Sequence, residues 1–176
     1  MSSSRVWLRQ AKSDLHAAEC LSGQPAEDLY CQVAAKCQQT VEKSVKAIAA
    51  ELSDRGIVTL TIGFDHRIDR YISAITRVPR HKSAGKSVPE YIQQTLLRNR
   101  NEVKLLMSLA PHRPPDENQL PRNTEYPFHN AQGVLIAPAD TGIFQKVEID
   151  GHLKVATAVF TQAQALISIV ERAPRE

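Results

Sequence analysis

Two groups of residues in this sequence have the types and spacing to do chemistry. The first is Gln38, Gln39, Glu42, Lys43 and Lys46. A carboxylate set among ammonium groups can hold a ribose or a base edge while the lysines hold phosphate. A plainer reading stands beside it: Glu42 pairs with Lys46 at i,i+4 on a solvated helix face. The second group is Arg122 and His129, in Arg122-Asn123-Thr124-Glu125-Tyr126-Pro127-Phe128-His129. Histidine can take or give a proton near neutral pH, and arginine can steady a scissile phosphate while the RNA 2′-hydroxyl attacks it. Arg9 and His16 repeat the same separation inside what reads as packed helix, so spacing alone does not make the second pair a site. Pro127 would also break a helix carrying that motif.

Several other features carry less. Ala84-Gly85-Lys86-Ser87 resembles the end of a phosphate-binding loop, but Arg80 stands where the loop needs its first glycine. Ser87 is better explained as a helix cap. His66 is most simply a capping or core histidine, with a ligand role as the alternative. Trp7 reads as core. The three cysteines, Cys20, Cys31 and Cys37, fall inside helical patterns and read as small reduced core residues. No CxxC pair and no HExxH motif occurs, so no metal site is expected and no cofactor is implied.

The elements that must position these residues are helical. Trp7, Ala11, Leu15, Ala18 and Leu21 recur at steps of three and four, with a cap among Ser2 to Ser4 and a stop at Gly23 and Pro25. The second pattern is the clearest. Tyr30, Val33, Ala34, Cys37, Val41, Val45, Ile48 and Leu52 make one apolar stripe that ends before Gly56. Ala35, Ala47, Ala49 and Ala50 keep its other faces small, as suits a central helix with several neighbours. A short third helix carries Ile68, Tyr71, Ile72 and Ile75. A fourth runs from a Ser87/Glu90 capping box through Ile92, Leu96, Val103 and Leu106 to Ala110. A fifth carries Leu153, Ala156, Phe160, Ala163, Ile167 and Val170, with Asp150 as its expected cap. The Pro-rich stretch 111–149 between the last two is too long for an idle connection. Its second half predicts a hairpin in which Val134-Leu135-Ile136 pairs with Ile143 to Ile149.

These helices carry a resemblance. The opening WLRQAKSDLHAAECL and the second helix CQVAAKCQQTVEKSVKAIAAEL resemble the HEPN family, whose signature is Gln-Gln, then Glu-Lys, then Lys-Ala, each about a turn apart. His66 stands where the family often has a histidine after the second helix. Tyr126-Pro127 resembles a motif of the branch that includes the C-terminal domain of the chaperone-like protein sacsin. Glu125 replaces the arginine of that motif. The resemblance implies a dimeric helical bundle that binds nucleotides or RNA, or accompanies a nucleotidyltransferase domain. It also implies that Gln38, Gln39, Glu42, Lys43, Lys46, His66 and Tyr126 are the residues to examine for a ligand. No Gly-Ser followed by paired aspartates of the nucleotidyltransferase type occurs here, so a separate polypeptide would supply that activity.

At 176 residues with 42% hydrophobic and 23% charged side chains, the chain suits one folded domain, 1–176. The net charge of +3 conceals a basic middle. From Arg67 to Lys104, nine Lys/Arg face three acids, an excess that phosphates could meet. No apolar run reaches the ~20 residues needed to cross a bilayer, and the charged start has no secretory core. The expectation is a cytoplasmic, all-α, five-helix up-and-down bundle with a long loop or β-hairpin insertion at 111–149. The expected function is a non-catalytic nucleotide- or RNA-associated binding domain, homodimeric, and paired with a nucleotidyltransferase in a toxin–antitoxin-like arrangement. The alternatives are a metal-independent endoribonuclease using Arg122 and His129, and a dimerisation scaffold without ligand.

Overall fold

The computed structural model describes residues 2–63, 68–78, 90–109, 124–129 and 132–172. His66, Ser87 and Arg122, each given a role above, lie outside them. Six α-helices appear among the described residues: α1 (Ser3–Ser22), α2 (Tyr30–Asp54), α3 (Ile68–Arg77), α4 (Glu90–Arg98), α5 (Arg100–Ser108) and α6 (Lys146–Arg172). A two-stranded antiparallel hairpin, β1 (Phe128–His129) and β2 (Leu135–Ile136), precedes α6. None of the described helices is long and apolar enough to cross a membrane.

Helix α2 is the axis of the bundle. It packs against α1, α6, α3 and α5, and 19 of its 25 residues are buried. Its apolar stripe supplies Val33, Ala34, Cys37, Val41, Val45, Ile48 and Leu52 to the core. Ala47, Ala49 and Ala50 on the remaining faces are also buried, and their small side chains let neighbouring helices approach on several sides. The helix stops where Gly56 adopts φ 66°, a left-handed conformation open to glycine at little cost. The amide of Ile57 then donates to the Leu52 carbonyl at 2.9 Å, closing the end.

The sequence expectation of one helix from Ser87 to Ala110 is corrected to two. The break falls at Asn99, whose side-chain amide donates to the Thr95 carbonyl at 3.0 Å. An asparagine that bonds its own backbone competes with the helix ladder. The apolar stripe is also silent here: Leu97, Arg98 and Arg100 to Glu102 are exposed. Gln93 ties α4 to the end of α3 by donating to the carbonyls of Ile75 and Val78.

The hairpin is also corrected. Leu135 and Ile136 pair upstream, with His129 and Phe128 respectively, and not with 143–149. Asp140 directs the chain away from the expected partner. Its carboxylate accepts the Ala137 amide, and its carbonyl accepts the Ile143 amide, with Gly142 at φ 84° completing the turn. Helix α6 therefore begins at Lys146. Asp150, expected as its cap, lies inside the first turns and pairs with Lys146. Ile149, Val155, Ala156, Val159 and Phe160 then follow a helical period into the core.

Candidate functional site

Helices α1 and α2 run antiparallel, and three polar clusters lie along their seam. At one end the Ser4 hydroxyl donates to Glu51 Oε2 at 2.6 Å, and Arg55 Nε donates to Glu51 Oε1 at 3.3 Å. In the middle, Gln38, Glu42 and Lys46 form one row of α2 at successive i,i+4 steps. They are 3%, 5% and 1% exposed. Lys46 Nζ donates to Glu42 Oε1 at 2.7 Å, and Gln38 Nε2 donates to Glu42 Oε2 at 3.4 Å. The Lys46 ammonium sits 5.0 Å from the centroid of the Trp7 ring, a distance at which a cation is attracted to the ring face.

The third cluster centres on Asp14 of α1, which is buried. Its two carboxylate oxygens accept from Lys36, at 3.3 Å, and from Lys43. Lys36 also donates to Gln39 Oε1 at 3.0 Å. Both lysines remain partly exposed at the rim of the seam. Two ammonium groups on one carboxylate leave a net positive charge there.

The residues singled out on α2 thus divide by burial. The Glu42–Lys46 pair has the spacing the sequence suggested, but it is not on a solvated face. Periodicity placed these residues beside the apolar stripe, and α1 covers that flank. Ala11 and Ala18 of α1 are fully buried against the bundle and let the two backbones come close. Gln39 and Lys43 stay reachable at the rim. Asp14 had no assigned role, although it stands within the opening stretch WLRQAKSDLHAAECL. The available signal was an acid in mid-helix facing a second helix with lysines seven residues apart.

The other candidates are scattered. His129 is exposed on β1, a strand and not a helix, and the motif's Arg122 lies outside the described residues. Tyr126 is exposed two residues before the hairpin. Cys31 and Cys37 are buried, as expected, whereas Cys20 is exposed on α1 beside His16. Burial in an apolar setting pushes the Cys37 thiol up to about 12 and raises that of Cys31, so both are inert at neutral pH. Among the described residues no group of His, Cys, Asp or Glu is placed to hold a metal ion.

No curated protein and no solved structure matches the chain. Residues 4–63 match the family model described as the HEPN domain, a stretch that takes in α1, α2 and the buried polar seam between them.

Proposed function

We propose that the chain is a nucleotide- or RNA-associated helical binding domain that is homodimeric and non-catalytic and accompanies a separate nucleotidyltransferase. The observation that carries this reading is the HEPN match over α1 and α2, which associates the chain with RNA- or nucleotide-related work. The surface chemistry agrees. Lys36 and Lys43 flank Asp14 with an excess of positive charge, and phosphate is the natural counter-ion for such a pair. Dimerisation is supported by apolar side chains that the fold leaves exposed near the hairpin and the start of α6: Tyr126, Val134, Leu135 and Val147.

Calorimetry at low salt with ATP and with short single-stranded RNA tests the binding. Heat of binding that fades as salt is added is the expected result. No binding by either probe leaves a scaffold without ligand. Sedimentation at micromolar concentration should give twice the 19.6 kDa chain mass. A clean monomer removes the dimer from the reading. RNA incubated with the protein in EDTA should stay intact, and His129→Ala should behave as the parent. Cleavage that leaves 2′,3′-cyclic phosphate ends and disappears in His129→Ala would establish a ribonuclease instead.

A further inference from the structure

Helices α4 and α5 turn one face to the core and the other to solvent. Leu96, Val103, Leu106 and Met107 are buried, whereas Leu97 and Leu105 are 43% and 45% exposed. The backbone ladder continues across the break between the helices. The Asn99 amide donates to the Thr95 carbonyl at 3.1 Å, and the Asn99 carbonyl accepts the Val103 amide at 2.8 Å. Side chains of the two helices therefore keep one angular order of about 100° per residue. On the outer face Leu97 and Leu105 straddle Gln94 and Asn101, and all four are exposed. Cations lie outside the leucines on both sides: Lys104 and Arg100 beyond Leu97, Arg98 beyond Leu105. The leucines stand about 12 Å apart along the axis, at a rise of about 1.5 Å per residue.

The cations of this face have no partners inside the protein. Among the described residues Arg98, Arg100 and Lys104 make no side-chain ion pair or hydrogen bond. Glu102, at the edge beyond Arg98, is exposed and pairs with none of them. Three cations against one acid leave the face positive. A single exposed leucine on a protein surface needs no explanation. Two leucines framed by unpaired cations on one helix face are a different pattern. A purely ionic partner would meet the cations and leave the leucines in water. A partner helix would bury Asn101 at the centre of the contact and would have to satisfy its amide there. The headgroup layer of a bilayer offers anionic groups to the cations, apolar depth to the leucines and water to Asn101. A convex helix side also suits a yielding layer, which needs no matching groove.

We infer that the exposed face of α4 and α5 docks on the surface of an anionic lipid bilayer. Leu97 and Leu105 enter the boundary between headgroups and acyl chains, while Arg98, Arg100 and Lys104 stay at headgroup level. The contact is peripheral and reversible, since two leucines give shallow insertion and the cations give attraction that salt screens. No residue of the α1–α2 rim takes part.

Co-sedimentation of the full chain with vesicles is the test. Vesicles of phosphatidylcholine alone should leave the protein in the supernatant at low salt. Vesicles of two parts phosphatidylcholine to one of phosphatidylserine should carry it down, and added salt should release it. Arg98→Gln, Arg100→Gln and Lys104→Gln should each weaken partitioning about fivefold, the share of one cation near an anionic surface. Leu97→Ser/Leu105→Ser keeps the charge and should weaken it roughly tenfold. Glu102→Gln removes the acid of the face and should strengthen it. If the leucine variant fails to fold, Asn101→Glu probes the same face from an exposed position and should weaken partitioning by repulsion. Lys12→Gln, an exposed cation of α1, should behave as the parent. A folded leucine variant that partitions like the parent would reduce the contact to charge alone and overturn the docking face. A triple cation variant that partitions like the parent, or a Lys12→Gln loss as large as that of Arg100→Gln, would also overturn it. Release from the vesicles by polyglutamate of equal total charge would show that the cations prefer an acidic chain, and the lipid assignment fails. Absence of binding to the phosphatidylserine vesicles overturns the inference outright.

Discussion

The two flanks of α1 are built from similar residue types and end in opposite states. On one flank, Trp7 and Asp14 close over the lysines and Glu42 of α2, where Lys46 pairs with Glu42 and Lys36 and Lys43 pair with Asp14. On the other, Arg5, Arg9 and Lys12 overhang an apolar wall on α6, and space remains between the helices. The difference lies in the opposing helix. Helix α2 presents a row of complementary polar side chains to α1, so the seam can shut without stranding charge. Helix α6 presents Phe160 and Ile167, and near its end Glu171 pairs with Arg5 across the gap. Charge on a helix surface therefore either closes into a clamp or stays at an open groove, and the neighbour decides which.

The largest effect expected from breaking this contrast is at Lys46. Lys46→Ala leaves the buried Glu42 without the lysine it pairs with, a loss of roughly 3–5 kcal/mol for a broken interior pair. Replacing both members, Glu42→Gln with Lys46→Met, should recover most of that, because no unpaired charge is left. Thermal unfolding measures both variants. A Lys46→Ala protein as stable as the parent would mean that the seam is open in solution and that this lysine is available to ligand after all.

A smaller loss is expected at Asp14. Asp14→Ala removes the shared acceptor of Lys36 and Lys43, but both lysines are partly exposed and can turn to water. The cost should be about 1–3 kcal/mol, that of a charged hydrogen-bonding group lost from a buried position. Urea unfolding should show a lower midpoint with an unchanged slope. A loss as large as that of Lys46→Ala would show that the rim is as closed as the centre of the seam.

The smallest effect belongs to the open flank. The hydrogen bond from Arg5, followed by its charge, holds the Glu171 carboxyl below its ordinary value of 4.5. A carboxyl with a lowered folded value stabilises the protein above its unfolded value, and that contribution fades as pH falls through the lowered value. Arg5→Gln should return the Glu171 titration, followed by NMR, toward 4.5 and flatten the acid limb of the stability curve only slightly, because the pair is exposed. A large change in melting temperature at neutral pH would mean that this brace, and not the α1–α2 seam, holds α1 in place.

Much of this architecture was legible in the sequence because helical period is a local property. The apolar repeats at three and four residues located α1 and α2, and Gly56 marked the end of α2 through the backbone freedom that only glycine offers there. The i,i+4 spacing of Glu42 and Lys46 was enough to expect their pairing, since one helix fixes that distance. The hairpin was only half legible. Leu135 and Ile136 read as a strand, but two short apolar segments competed for it, and the turn at Asp140 and Gly142 settled the choice.

Tertiary structure alone decided which charges face water. A sequence gives the angle of a side chain around its own helix axis, not the identity of the element that covers that angle. The alanines of α1 bring it down over Glu42 and Lys46, turning a pair expected in solvent into an interior one. The groove on the opposite flank joins Arg9 and Lys12 to Phe160, Gln164 and Ile167, which lie at the far end of the chain. No local pattern links those residues. They become neighbours because α1 and α6 both pack against α2, so α2 sets the gap between them.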